Sequence, residues 1–383
     1  MQRGSADSCN MVPGLCLLLL LLLPRISADT PEPCEFDDED FRCFCNFTDP
    51  EPNWSSALQC TVAVDVEIRG GGRGLEQFLR HANTDPSQYV DMVKALRLRR
   101  LTLGDARAPI QLLVGLLRAL GSSQRFKELT LENMEITGTL PPVTLEATGP
   151  ALSTLRFHNV SWASGKTWLS DLQRLLKPGL KVLSITRTPT LSFACAQLDP
   201  FPALSSLDLS ENSALDELGL QEALCTDKFP ALQDLALRRA GVQTLDGVCS
   251  ALAAAGVRPR SLDLSHNALR TPSPGAAAQC VWPGELNALI LSFAGLEQVP
   301  RGLPAKLDVL DLRGNRLTRV PEQDELPEVK TMILDRNPFL DPEFAKHHET
   351  QRKSSAVPAS ATSVLAIGLA GAAVLLRGAG DFA

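Results

Sequence analysis

The chain has 383 residues, 44% of them hydrophobic but only 5% aromatic, so it can build a large core and leucine must supply most of it. A net charge of -7 sets aside direct nucleic-acid binding, which needs a broad basic face to displace counterions. The five histidines, His81, His158, His266, His347 and His348, fall in no metal spacing, and there is no nucleophile elbow or phosphate loop, which argues against an enzyme, a metal or a cofactor.

The first segment in chain order is an address. Arg3 precedes an apolar run from Leu15 to Leu23, and Ile26-Ser27-Ala28 offers a small residue for cleavage after Ala28. The run is shorter than the roughly 20 residues that span a bilayer. Residues 1–28 therefore read as a secretory signal, whether the chain starts at Met1 or Met11. Cys9 and Cys16 leave with it, and the eight remaining cysteines are an even number, as a disulfide-bonded secreted chain requires. Asn46, Asn53 and Asn159 head Asn-x-Ser/Thr triplets and are expected to carry glycans on exposed loops.

Residues 29–92 are expected to form a disulfide cap with the first strands, because the first repeat needs its open edge covered. Cys34, Cys43, Cys45 and Cys60 crowd into it, and spacing leaves their pairing open. Asp37, Asp38, Glu39 and Asp40 make an acidic run, suited to steering a basic partner or to solvating the cap. Val64, Val66 and Ile68 alternate as one strand.

Residues 93–341 repeat. The clearest unit is Leu307-x-x-Leu310-x-Leu312-x-x-Asn315-x-Leu317. The same phase, with its Asn, recurs at Leu207/Leu209/Asn212, Leu262/Leu264/Asn267 and Met332/Leu334/Asn337. Copies without it fall at Leu101, Leu129, Leu155, Leu183, Leu235 and Leu289. Successive copies are 28, 26, 28, 24, 28, 27, 27, 21 and 22 residues apart, within the leucine-rich-repeat range. The paired leucines of each copy point inward from one strand, and the Asn turns inward to pair backbone groups that the bend leaves unsatisfied. Helical spacing follows at Ile110–Leu120 and Trp168–Leu176, the second stopped by Pro178-Gly179, whereas the two short C-terminal repeats have room only for turns or 3₁₀ pieces. The expected fold is an α/β horseshoe solenoid, with a parallel sheet on the concave face and mixed helices and loops on the convex face.

Cys195, Cys225, Cys249 and Cys280 lie 12, 18, 14 and 18 residues past their strand markers, on the convex side of four successive repeats. Neighbouring repeats are about 5 Å apart, and a bridge needs Cα atoms within about 7 Å. Only the pairing Cys195–Cys225 with Cys249–Cys280 keeps every bridge between adjacent repeats.

Residues 342–354 read as a stalk. Small residues at Ser354-Ser355-Ala356, a short polar spacer and the apolar run Val364 to Leu376 then form a glycosylphosphatidylinositol signal, its tail removed on attachment at Ser354 or Ser355. That address places the mature chain on the outer face of the cell membrane.

Several stretches resemble one family more closely than the generic repeat does: Pro31 to Phe47, Val93 to Thr102, Leu140-Pro-Pro142, Pro178 to Ile185 and Ser292 to Pro300. These are similar to the leucine-rich-repeat lipopolysaccharide co-receptors of monocytes, over nearly the whole chain. The resemblance implies disulfides Cys34–Cys45 and Cys43–Cys60, a homodimer, and an apolar N-terminal pocket for the acyl chains of lipopolysaccharide and acylated lipopeptides. It implies receipt of lipid from a lipopolysaccharide-binding serum protein and transfer to a Toll-like receptor with its lipid-binding accessory protein. It also implies a raft-associated membrane form and a secreted soluble form. Lys353 departs from the family's small or amidated attachment residue, which moves the expected site to Ser354 and makes residues 355–383 the removed tail.

The residues themselves support a pocket at that end. The first repeats lack the interior Asn, and the cap brings few aliphatic side chains to cover them. The candidate lining is Val66, Ile68, Phe78, Leu79, Tyr89, Val93, Leu96, Leu98, Leu101 and Leu103, with Arg80 and His81 at the rim for lipid phosphates and Arg97, Arg99 and Arg100 as helpers. The alternative is a protein-binding repeat receptor that uses its concave face, although no aromatic stripe marks that face. His266, beside Asn267, reads as a surface residue.

Overall fold

The structure is a computed structural model, and it describes residues 32–48, 54–70, 96–139, 149–189, 191–270 and 280–341. Among the described residues, fourteen strands form one sheet. They are β1 (Cys34–Asp37), β2 (Arg42–Phe47), β3 (Asp65–Gly70), β4 (Arg100–Gly104), β5 (Arg107–Pro109), β6 (Glu128–Thr137) and β7 (Thr154–Trp162). There follow β8 (Val182–Thr186), β9 (Ser206–Asp208), β10 (Asp234–Ala236), β11 (Ser261–Asp263), β12 (Ala288–Ile290), β13 (Lys306–Asp311) and β14 (Glu328–Ile333). Only β1 and β2 pair antiparallel; from β2 onward each described neighbour is parallel, and β5 is a side strand on β6. The chain is a leucine-rich-repeat solenoid, and its parallel sheet already begins inside the cap, at β2.

The register shows why the repeat dictates this. Leu101, Leu129, Leu155, Leu183, Leu207, Leu235, Leu262, Leu289 and Leu310 are paired neighbour to neighbour along the sheet. All are buried in one continuous core. A slip of one residue would turn that column to solvent.

The convex side is closed by α1 (Ile110–Leu120), α2 (Trp168–Leu175), α3 (Asp216–Ala223) and α4 (Leu245–Ala255). Helix α1 buries Ile110, Leu113, Val114, Leu117 and Leu120, the face expected from its spacing. Helix α4 is capped by the Thr244 hydroxyl, which accepts from the Gly247 amide at 3.2 Å, and stops at Gly256, whose φ of 68° is left-handed. The last two repeats carry only the 3₁₀ turns Gln323–Glu325 and Pro338–Leu340.

Each repeat turns at one left-handed residue, inside β6 and β7 at Asn133 and Asn159 and just past the strand at Asp105, Arg187, Glu211, Arg239, His266, Phe293, Gly314 and Arg336. Where the next residue is Asn, its side chain finishes the turn. Asn267 donates to the carbonyls of Leu237 (2.7 Å) and Leu264 (2.9 Å), and its Oδ1 accepts from the amides of Ala240 (2.9 Å) and Val242 (3.3 Å). Asn315 does the same for Leu291, Leu312, Ala294 and Leu296. These carboxamides are buried, and the backbone groups they meet would otherwise be stranded in the core.

Four disulfides join Cys34 to Cys45, Cys43 to Cys60, Cys195 to Cys225 and Cys249 to Cys280. The last two link adjacent repeats across the convex side, with Cα atoms 5.3 and 5.9 Å apart.

Candidate functional site at the N-terminal end

Two apolar clusters meet at this end. The cap has its own small core of Cys34, Cys43, Cys45, Phe47 and Ala63. The main core starts at Leu98 and runs to Leu317. Val66 and Ile68 of β3 touch both clusters, yet neither is fully buried. Their register sets them between Cys43 and Leu101, and between Cys45 and Leu103, so they belong to the inner column. In every other parallel strand from β2 to β13 that column is buried, so the core is thinnest at β3.

Of the candidate lining, the structure brings Val66, Ile68, Leu96, Leu98, Leu101 and Leu103 into one apolar group. Leu98, Leu101 and Leu103 are buried, and Leu96 is half-buried beside them. Phe78, Leu79, Arg80, His81, Tyr89 and Val93 lie outside the described residues. Asn53 and Ser354 also lie outside them. Asn46 is exposed but stands within β2, and Asn159 is exposed at the bend of β7, so neither is in the loop setting expected from the triplets alone.

The opposite, concave side of this end is polar. A cavity of about 780 Å³ is lined there mainly by Glu35, Asp37, Asp40, Asp65 and Glu67, with Arg42 and Arg100, and Phe36, Phe44 and Val66 also reach its wall. Arg100 is a fork on Asp65: its Nε and Nη2 lie 2.7 Å from the two carboxylate oxygens. The Asp65 hydrogen bond holds its guanidinium pKa above the usual arginine value. That geometry spends Arg100 on β3–β4 pairing, so it is not a free helper for lipid phosphate; Arg97 and Arg99 remain exposed. Asp37 also has a local role, its Oδ1 accepting from the amides of Glu39 (3.0 Å) and Asp40 (3.4 Å) to shape the β1–β2 turn.

Sequence reasoning missed the residue that ties this face together. Arg69 reaches Glu67 (2.7 Å), Glu132 (2.6 Å) and Asp105 (3.5 Å). Burial works against its charge, but the hydrogen bonds it donates to Glu67 and Glu132 outweigh that and raise its pKa. Its partners on β6 and beyond β4 are far away in sequence, and no local pattern links them. The only available signal was that Arg69 prolongs the Val66/Ile68 alternation on the polar face.

No family model matches the chain. Among curated proteins it is 62% identical to monocyte differentiation antigen CD14 of Bos taurus over 372 residues, covering 97% of this chain and 99% of that one. It is equally identical to the CD14 of Homo sapiens over 371 residues, 96% of this chain and 99% of that relative. A more distant likeness, 28% identity over 169 residues, is to Toll-like receptor 2 of Cricetulus griseus and covers 44% of this chain but 20% of the receptor. With full-length relatives at that level of identity, disulfides in place and a leucine-rich-repeat solenoid throughout, the chain belongs to the monocyte differentiation antigen CD14 family.

Proposed function

We propose that the chain takes up lipopolysaccharide and other acylated microbial ligands by their acyl chains at the N-terminal end of the solenoid, and passes them on to trigger inflammatory signalling. Its family makes it a leucine-rich-repeat co-receptor of innate immunity. The observation that carries the finer reading is the thin core at β3, where Val66 and Ile68 bridge two apolar clusters without being buried by either.

The energetics favour ligands with several chains. Burying a methylene yields about 0.8 kcal/mol, so a chain of a dozen carbons yields about 9 kcal/mol. Association costs about 4–15 kcal/mol. One chain roughly breaks even, and two or more bind tightly without a specific polar contact. The rim cations Arg80 and His81 would then orient the phosphates, while the lining adds Phe78, Leu79, Tyr89 and Val93 to the group described above.

In this reading, lipid arrives from a lipopolysaccharide-binding serum protein and leaves for a Toll-like receptor with its lipid-binding accessory protein. The chain acts by binding, not catalysis. A glycolipid at Ser354 holds it on the outer face of the cell membrane, in rafts, and a soluble form is secreted. Asn46, Asn53 and Asn159 carry glycans, and of these Asn46 and Asn159 stand at exposed positions. Homodimerisation is supported by β14, which ends the sheet with a single strand partner among the described residues and leaves Met332 38% exposed.

The test is a titration of purified protein with a fluorescent acylated lipid. Uptake is expected, with multi-acyl ligands at least tenfold tighter than single-chain ones, and with Val66→Asp and Phe78→Glu each losing most of it. No uptake by the wild type, or wild-type uptake by both variants, overturns the reading. The second reading, a protein-binding receptor, is favoured by the polar concave cavity. It predicts instead that an exposed charge reversal there, Glu35→Lys, abolishes partner binding and leaves lipid uptake intact.

A further inference from the structure

The left-handed residues form a ladder along one rim of the sheet. In the C-terminal half, backbone bonds tie its rungs together: Arg239 N donates to Ser265 O (3.2 Å), His266 N to Ser292 O (2.9 Å), Phe293 N to Arg313 O (3.0 Å) and Gly314 N to Asp335 O (2.8 Å). Successive rungs are therefore about one strand spacing, ~5 Å, apart.

The two ends of the ladder differ in chemistry. The N-terminal rungs consume their own polarity: Asn133 donates to Asp105 and Asn159 donates to Asn133, each at 2.9 Å, and Arg187 pairs with Glu211 at 2.6 Å. The C-terminal rungs are Arg239, His266, Phe293, Gly314 and Arg336, with no carboxylate among them. Arg239 and Arg336 are exposed and have no ion pair among the described residues, and the same holds for Arg316, two residues past the Gly314 rung. Of the carboxylates on or beside this rim, Asp311 is held by Arg313 at 2.6 Å, and Glu211, the rung before Arg239, is held by Arg187; Asp335 stands one residue before Arg336, and Glu297 one residue past Leu296, whose carbonyl accepts from the Arg316 amide.

An apolar ring is fixed in the middle of these cations. Phe293 is 38% exposed, and its ring stacks on His266 with centroids 4.8 Å apart and planes 6° from parallel. It also lies against Gly314: a Cβ there would sit 2.3 Å from Phe293 Cε1, so that position needs glycine for the ring as well as for its φ of 65°. With His266 and Gly314 against it, the ring offers its edge to solvent.

We propose that this rim, from Arg239 to Arg336, binds a sulfated glycan lying along the ladder. Guanidinium groups at intervals along one line suit a linear polymer with spaced sulfates, which they can meet as bidentate pairs. The rigid apolar edge of Phe293 suits the aliphatic face of a sugar ring. Single-stranded nucleic acid fits less well, because its bases need open aromatic faces on which to stack, and those of Phe293 are occupied. The rim lies several repeats from the apolar end, so its ligand is separate from the acyl chains proposed above.

The test uses the mature full-length chain and immobilised heparin, with dextran as the neutral control and single-stranded RNA as the rival polyanion. Heparin is expected to bind with strong salt dependence and dextran not to bind. Arg239→Glu combined with Arg336→Glu should weaken heparin by about tenfold or more, and Phe293→Ala by about threefold. Arg107→Glu, an exposed arginine at the other end that is already paired with Glu135, should change it less than about twofold. Unchanged thermal midpoints for the charge variants separate these effects from misfolding. Absence of heparin binding, equal binding by all variants, or RNA binding as tight as heparin overturns the proposal.

Discussion

The two halves of the solenoid close the same bend in different ways. From β9 onward, apart from the bends at Arg239 and Phe293, the residue after the left-handed rung is Asn, and a buried carboxamide satisfies the bend. From β4 to β7 that residue is Ala106, Met134 or Val160, and there is no carboxamide. Here the strand continues past the bend instead. Arg107, Ala108 and Pro109 pair with Glu135, Ile136 and Thr137, and Met134 to Ile136 pair with Val160 to Trp162. One half uses side chains as internal partners and keeps strands of three residues at β9 to β12; the other uses backbone and needs strands of nine and ten residues at β7 and β6. The bends at Ala240 and Ala294 show the economy of the first solution: each is served by the Asn of the following repeat. A half built on backbone pairing can omit polar atoms from its core, and that is the half which adjoins the apolar end.

The comparison breaks most directly at Asn267. Asn267→Ala strands backbone groups in two successive bends, each group costing about 1–3 kcal/mol, and we expect a loss on the order of 4 kcal/mol in urea-unfolding stability. The reciprocal change, Met134→Asn, should not stabilise. Its backbone is already paired through β7, so it should lose roughly 2 kcal/mol by burying an unpartnered amide. A neutral Asn267→Ala, or a stabilising Met134→Asn, would show that the two solutions are not distinct.

The disulfides sharpen the contrast. Three half-cystines make up most of the cap's own core, so Cys43→Ala with Cys60→Ala should cost about 2–4 kcal/mol and abolish lipid uptake while the later repeats stay folded. Removing Cys249–Cys280, which joins repeats already fastened by Asn267, should leave uptake at wild-type levels. Uptake and partial proteolysis of the two double variants give the comparison.

The smallest effect lies at the C-terminal end. Arg319 forks onto Glu325, which also accepts from the Glu322 amide at 3.0 Å, and the Arg319 hydrogen bonds hold its carboxyl at about 2, below the ordinary 4.5. A depressed carboxyl stabilises the fold above its unfolded pKa, and that contribution fades as pH falls from about 4.5 toward 2. Glu325→Gln should remove this acid dependence from hydrogen exchange in the last repeats. The gain at neutral pH is small, because the pair is open to solvent and screened by it.

Much of this was legible in the sequence because it is local and repeated. The leucine column, the interior Asn, helix α1 to the residue and the two convex disulfides all follow from spacing within one or two repeats. The extended strands were not legible: Met134 and Val160 look like failed Asn positions, and only pairing between neighbours shows that they continue a ladder. The rim of left-handed residues was hidden because its members share a backbone angle and no side-chain chemistry, from Asp105 to Phe293. His266 reads as a bare surface residue until Phe293, 27 positions later, stacks on it. At the apolar end, alternation revealed β3, but not that Val66 and Ile68 would stand between two cores.

The direction of the carboxamide bonds has a consequence for how the chain is made. Thr188 receives its partner from Asn212, Ala240 from Asn267, Ala294 from Asn315 and Leu317 from Asn337. In every case the later repeat completes the earlier one. A chain emerging from the ribosome must therefore hold each of these bends open until some twenty further residues have appeared, and a chain cut short always ends on an unfinished coil.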